Sequence, residues 1–334
     1  MISNKYYHHS TIHPILEVIH DHALIWVNHV LAEKGLASVE QIVPIHSMAW
    51  SVVGKVVHEE GVWYFKAVSQ QLEYELDASE VLSRFFPEQT ATFIAANTDQ
   101  RFMLVDDLGQ VLYDTPKIDC FGLWRTALAD YSTIQLETSR LGREIFPSLP
   151  DRRLELIPSE AMPIIERCVD LTPRDGERAI LHEDVEWIRQ YFSQWEKVMA
   201  DINSLPIPNA VHHGDLHGGN IAMRDRPVVF DWGDSSWSHP FVTFFVSVDA
   251  CQSHLGFKDG ASLAELQEAY LSPWLEFGTM SQLNVVIDRV NKVSPLVMLL
   301  SWAYAIGNKA DERVNEWEGG LCTWVNEFLR LNRN

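Results

Sequence analysis

The chain has 334 residues, 46% of them apolar and 11% aromatic, with 12 Trp, a composition that excludes intrinsic disorder and fits a globular protein of about two domains. Lys and Arg number 26 against 46 Asp and Glu, a net charge of −20, and the longest basic run is Arg152-Arg153, so nucleic acid and anionic membranes are poor partners. Cys120, Cys168, Cys251 and Cys322 show neither CxxC nor metal-ligand spacing and read as reduced core residues. The polar start MISNKYYHHSTIHP is unlike a signal peptide, and no apolar run approaches the ~20 residues that cross a bilayer. A cytoplasmic location is expected.

In chain order, Ile15 to Leu36 carries apolar residues at helical spacing and ends at Gly35, which predicts an N-terminal helix. Val52 to Val57 and Val62 to Val68 are β-branched and aromatic runs joined by Glu59-Glu60-Gly61, which predicts a hairpin. Glu75 to Phe86 reads as a short helix stopped by Pro87, followed by strands at Thr92 to Ala95 and Phe102 to Val105. After Gly109 the pattern turns helical. Val185, Ile188, Phe192, Trp195, Val198, Met199 and Ile202 form one stripe, which predicts a single helix over Asp184 to Ile202. A second hairpin, Ile221 to Met223 and Val228 to Phe230, surrounds the turn Arg224 to Pro227. From Phe241 onward, Trp- and Leu-rich helical segments dominate, including Leu263 to Phe277, Leu296 to Ile306 and Leu321 to Leu331.

The chemistry is concentrated at HGDLHGGN, His213 to Asn220, and DWGD, Asp231 to Asp234. Phosphoryl transfer from ATP needs a carboxylate to accept a hydroxyl proton and oxygen ligands for Mg²⁺ on the phosphates. Asp215, Asn220 and Asp231 supply that set. A kinase-type loop places its base Asp five residues before the Mg-binding Asn, and a strand-borne Asp-x-Gly follows; Asp215, Asn220 and Asp231-Trp232-Gly233 keep this spacing.

On these residues the chain resembles the aminoglycoside phosphotransferase family of the protein-kinase-like superfamily, whose loop reads H-G-D-x-x-x-x-N where protein kinases have H-R-D. HGDLHGGN and VVFDWGD both match that family's pattern, and Gly214 favours its small-molecule branch. The resemblance implies Asp215 as catalytic base, His213 as a support of the loop, and Asn220 and Asp231 as Mg²⁺ ligands. It also implies a Lys inside a strand held by a Glu on the next helix. Lys66, alone in the apolar VWYFKAV, fits the first, and Glu75, leading the face of Ala78, Leu82 and Phe86, fits the second. Glu73 and Glu80 are fallbacks. AWSVVGKV would cover the nucleotide with Ser51 and Gly54 near its tip, and FMLVDDLG resembles the family's adenine hinge, with Met103 to Asp106, Val105 included, as candidates. One departure is Thr243, three residues beyond Pro240, where the family usually carries an Asp that anchors the catalytic loop.

Plainer readings compete for several residues. His212, His213, Asp215 and His217 could form a hydrolase metal cluster, but the later carboxylate comes attached to Trp232-Gly233. His217 reads as loop packing, Asp234 as a surface or capping residue, and Lys66 could be a strand-end Lys reaching water. Trp302, Tyr304, Trp317 and Trp324 are candidates for a cation cage but fit a helical core better. Asp311, Glu312, Glu316 and Glu318 fit a solvated face.

The expected architecture is α+β and bilobal, with a helical extension over residues 1–45, a β-rich nucleotide-binding lobe over 46–108 and a helical lobe over 109–334. The expected function is transfer of the γ-phosphate of Mg·ATP to a hydroxyl of a small molecule of the aminoglycoside, choline, sugar or amino-alcohol class, cationic acceptors included. The alternative is a nucleotide-binding pseudokinase or scaffold without turnover. A protein kinase is disfavoured by Gly214 and by the absence of an A-P-E segment.

Overall fold

The computed structural model describes residues 14–48, 50–307 and 312–333. Helix α1 (Pro14–Glu33) precedes a sheet of β1 (Val43–Ser47), β2 (Ser51–His58), β3 (Gly61–Val68), β4 (Phe93–Asn97) and β5 (Phe102–Asp106). The sheet is antiparallel in the order β1-β2-β3-β5-β4. The short Glu59-Glu60 turn sets the β2–β3 register, with Val57 opposite Val62 and Val53 opposite Lys66. Because side chains alternate along a strand, Phe65 and Ala67 share one face and Lys66 takes the other.

The Phe65 face is covered by α1. Trp26, Val27, Val30 and Leu31 pack there on Val52, Val56, Phe65, Ala67, Phe102 and Leu104, with Phe65 and Phe102 rings 5.0 Å apart. Helix α2 (Tyr74–Phe85) buries Glu75, Leu76, Ala78 and Leu82, and its apolar residues join Val68 and Met103 in the main core. Gly54 departs from expectation. It sits mid-strand opposite Phe65 and Pro44, not at a tip, and a Cβ there would lie 2.4 Å from Ile42. The turn instead falls between β1 and β2, and β1 was illegible because an edge strand of sequence VPIHS lacks clean alternation.

The remainder is mostly helical: α3 (Lys117–Leu141), α4 (Ile157–Arg167), α5 (His182–Phe192), α6 (Trp195–Ile202), α7 (Val242–Leu255), α8 (Gly260–Leu271), α9 (Met280–Ile306) and α10 (Glu312–Asn332). Between α6 and α7 lie the short strands β6 (Ala210–His212), β7 (Ile221–Met223), β8 (Pro227–Val229) and β9 (Ser236–Ser238). Trp124 and Tyr131 of α3, Trp274, and Val286, Ile287 and Val290 of α9 are fully buried. The single helix expected over Asp184 to Ile202 is two, α5 and α6. At the break the Gln194 N–H bonds to Tyr191 O, three residues back, and Ser193 Oγ takes the Gln190 carbonyl at 2.7 Å, so side-chain bonding interrupts the ladder while the apolar stripe continues. All four cysteines are free and buried, and among the described residues no helix is long and apolar enough to cross a membrane.

Candidate active site

Strands β7 and β8 pair with Ile221 opposite Val229, and one step further the Phe230 N–H donates to the Asn220 carbonyl at 3.1 Å. Asn220 and Asp231 therefore leave the same end of one ribbon. Strand β6 pairs with β9, His212 opposite Ser236, so the loops 213–220 and 230–235 are held side by side. Asp231 is the end of that turn and takes a positive φ of 66°, a conformation an Asp tolerates better than most residues.

His213 ties the two loops together. It is fully buried, its Nδ1 accepts the Asp215 N–H at 3.3 Å and its Nε2 lies 2.9 Å from Phe230 O. With Nδ1 an acceptor, Nε2 carries the proton and donates to Phe230. Burial pushes its pKa down to about 4, so near neutral pH the ring is an uncharged strut. Asn220 donates through Nδ2 to the Asp215 carbonyl at 2.9 Å, which fixes the far end of the loop. Asp215 itself is half-exposed. Burial raises its carboxyl, but His217, with Nε2 3.3 Å from Oδ2, and His213 outweigh this and hold it below the usual carboxylate range.

Lys66 joins this constellation to the sheet. Its Nζ lies 2.6 Å from Glu75 Oε1 and 2.7 Å from Asp231 Oδ1. Burial opposes the ammonium, yet the two carboxylates prevail and its pKa is raised. Glu75 is fully buried; desolvation outweighs Lys66 and pushes its carboxyl up to about 7, and among the described residues Oε2 has no hydrogen-bond partner. Glu73, just before α2, and Glu80, on α2, are exposed. Glu75 is the α2 carboxylate that meets Lys66.

A cleft of about 760 Å³ is lined by Ser51, Lys66, Asp215, Asp231 and Asp234, and also by Arg174, Glu177, Trp302, Trp317 and Trp324. Met103, Val105 and Asp106 are not among its lining residues. Met103 lies opposite Lys66 in the sheet, Val105 pairs with both Tyr64 and Phe93, and the Asp106 N–H donates to Thr92 O. Of the aromatic candidates, Trp302 and Trp317 cluster with Trp50, at 5.9 and 5.4 Å, and the Arg174 guanidinium stands 5.1 Å over the Trp302 ring. Tyr304 is 45% exposed and outside the lining. Glu318 pairs with Arg167 at 3.8 Å, Asp311 lies outside the described residues, and nothing is described of the Glu312 and Glu316 side chains.

The hydrolase reading does not match the rings' directions. His212 Nδ1 lies 2.6 Å from Thr243 Oγ1 and His213 faces Phe230, so the histidines do not converge, and among the described residues no group of three or more His, Cys, Asp or Glu could hold a metal ion. Thr243, at the position where the resemblance expects an anchoring Asp, reaches the strand that enters the loop through this His212 contact. Its Oγ1 also lies 3.1 Å from Tyr131 Oη, which accepts the His213 N–H at 2.9 Å and donates to Val211 O at 3.2 Å. A proton on His212 Nδ1 lets every link from His212 through Thr243 and Tyr131 to Val211 donate in one direction.

The Phosphotransferase enzyme family profile matches residues 74–280, more than half of the chain. The chain belongs to the phosphotransferase enzyme family. The matched span begins just before Glu75, so Lys66 and Ser51 precede it. No curated protein matches the chain in sequence. Among solved structures it resembles a Plasmodium vivax ethanolamine kinase (13% identity, TM-score 0.59, covering 90% of this chain and 87% of that one). It also resembles a choline kinase from Cryptosporidium parvum Iowa II (13%, TM-score 0.57, 88% and 89%) and amicoumacin kinase hAmiN in complex with AMP-PNP, Ca²⁺ and Ami (12%, TM-score 0.57, 96% and 97%). The fold of this phosphotransferase is accordingly α+β and kinase-like, an antiparallel sheet followed by a mostly helical remainder.

Three features of this phosphotransferase escaped the sequence reading. Asp234 is not a surface cap: it lines the cleft, and burial, then Asp215 and Asp231, push its carboxyl up to about 7. Arg152, 3% exposed, reaches the Asp234 carbonyl at 3.2 Å and Ser301 Oγ at 2.6 Å. The Tyr74 hydroxyl donates to Gly233 O at 2.6 Å. A buried Arg or Tyr has no sequence periodicity of its own; the legible signal was the second Asp of DWGD.

Proposed function

We propose that the protein transfers the γ-phosphate of Mg·ATP to a hydroxyl of a small molecule, with the nucleotide between a sheet-bearing lobe (residues 46–108, extended by residues 1–45) and a helical lobe (residues 109–334). The observation that carries this reading is Lys66, which bridges Glu75 of α2 and Asp231 of the catalytic segment. A cation so placed is suited to the phosphates once nucleotide competes for it. Ser51, also lining the cleft, is a candidate nucleotide contact, and Met103 to Asp106 remain the candidates for the adenine side.

Asn220 and Asp231 fit a hard divalent cation, since together they offer an amide oxygen and carboxylate oxygens from one ribbon end. Mg²⁺ bound there would neutralise charge on the phosphates. The residues do the rest. Asp215, held by its loop bonds, accepts the acceptor's hydroxyl proton. A bond forms between the acceptor oxygen and the γ-phosphorus, and the bond to the β–γ bridging oxygen breaks with its electron pair leaving on ADP. Among the described residues, Glu177 Oε2, Asn291 Oδ1 and Asn326 Oδ1, on residues that line the cleft, are buried oxygens without hydrogen-bond partners. They favour an acceptor rich in N–H and O–H donors, such as an amino alcohol or aminated sugar.

The test is ADP release with Mg·ATP across aminoglycosides, amino alcohols, sugars and nucleosides, with Asp215→Asn beside wild type. Acceptor-dependent release that vanishes in the variant is expected. Turnover unchanged in Asp215→Asn would remove the assigned base, and no nucleotide binding at all would overturn the reading.

A further inference from the structure

His217 occupies a seat that its own loop builds. Its Nδ1 accepts the Gly219 N–H at 2.9 Å, so the neutral ring must carry its proton on Nε2, and Nε2 lies 3.3 Å from Asp215 Oδ2. The ring is 8% exposed and stacks on Tyr113, centroids 5.5 Å apart and planes 8° from parallel. Tyr113 meets His254 edge-on at 4.8 Å, and His254 Nδ1 takes the Trp124 indole N–H at 3.3 Å. The loop's glycines make room for this stack. A Cβ on Gly218 would lie 2.4 Å from the Tyr113 ring, and one on Gly219 would lie 2.7 Å from His217 Cε1.

We propose that His217 is a positioning residue for Asp215: its Nε2–H holds Oδ2, leaving Oδ1 to take the acceptor's proton. A carboxylate that is 45% exposed can otherwise rotate, and a donor locked at one tautomer and one plane removes that freedom before substrate arrives. Simple packing would explain the stack on Tyr113. It would not explain a ring whose tautomer is set by Gly219 and whose donor faces the Asp of the same loop. The inference rests on Asp215 being the proton acceptor of the proposed reaction.

The test is long-range ¹H–¹⁵N correlation on the full chain labelled at histidine, at a pH where the ring is neutral, with His217→Gln assigning the signals. The expected result is an Nε2-protonated His217 whose Nε2–H resonance moves in Asp215→Asn. A proton on Nδ1, or a resonance indifferent to Asp215→Asn, would overturn the proposal. In parallel, Mg·ATP turnover with water as the phosphoryl acceptor separates donor from filler. His217→Gln, which keeps an N–H at the Nε2 position, should retain at least about one third of kcat, while His217→Leu should lose about tenfold or more with the nucleotide KM within about twofold. Equal kcat in the two variants would also overturn it. Should Asp215→Asn turn over like wild type, the functional reading fails, whereas the spectra still report whether the pair exists.

Discussion

Gly214 is pressed against Asp234: a Cβ on the glycine would lie 2.2 Å from the Asp234 carbonyl oxygen, and the glycine's φ is +86°. Both facts require glycine here, and they give the H-G-D spelling a steric cause, because the backbone of the Asp231 segment occupies the space a side chain would need. Gly214→Ala should therefore destabilise the protein by more than about 2 kcal/mol and reduce turnover by displacing Asp215. Thermal unfolding and ADP release would measure the two effects; a variant as stable as wild type would contradict the close approach.

Thr243 should matter through its hydroxyl. Thr243→Val keeps the shape but leaves His212 Nδ1 and Tyr131 Oη facing a methyl group inside the core, a loss of about 1–3 kcal/mol. Thr243→Ser should recover most of it. Denaturant unfolding of the three proteins decides the matter, and equal stability of Val and Ser variants would mean the network is idle.

Lys66 and Asp231 should separate by what they bind. Lys66→Met removes the cation between two carboxylates and is expected to lower turnover by about 100-fold or more, with weaker nucleotide binding. Asp231→Ala should instead abolish the dependence of nucleotide binding on Mg²⁺ concentration. Titration calorimetry at several metal concentrations would distinguish them, and unaltered metal dependence in Asp231→Ala would remove that residue from the metal site.

Acid stability should depend on His239. Burial pushes its pKa down to about 3 from an ordinary 6.5, while its Nδ1 accepts the Phe241 N–H at 3.2 Å. Below pH 6.5 the unfolded chain takes up a proton that the folded protein refuses. The contribution is thus complete above about pH 6.5 and is lost toward about pH 3, at about 1.4 kcal/mol per pH unit. Glu75 and Asp234, raised to about 7, act in the opposite sense, gaining protons in the folded state first. Comparing His239→Asn with wild type cancels their effect. The variant's unfolding free energy should fall less steeply between pH 6 and 4, and identical slopes would show that His239 is protonated in the fold.

Much of the chain could be read from local pattern. A lone charge in an apolar strand marked Lys66, helical spacing put Glu75 on the packed face of its helix, and the tight turn between β7 and β8 brought Asn220 and Asp231 to one ribbon end, because side-chain direction follows backbone period. The break at Ser193-Gln194 was hidden, since the apolar stripe runs through it unchanged. What local pattern does not hold is the partner across the fold. Lys66 and Asp231 are 165 positions apart, Thr243 is 31 from His212, and Arg152 is 82 from Asp234. Such contacts are selected by the packing of whole elements, where a buried donor or cation must find its acceptor or lose several kcal/mol, and only the folded chain decides which one it finds.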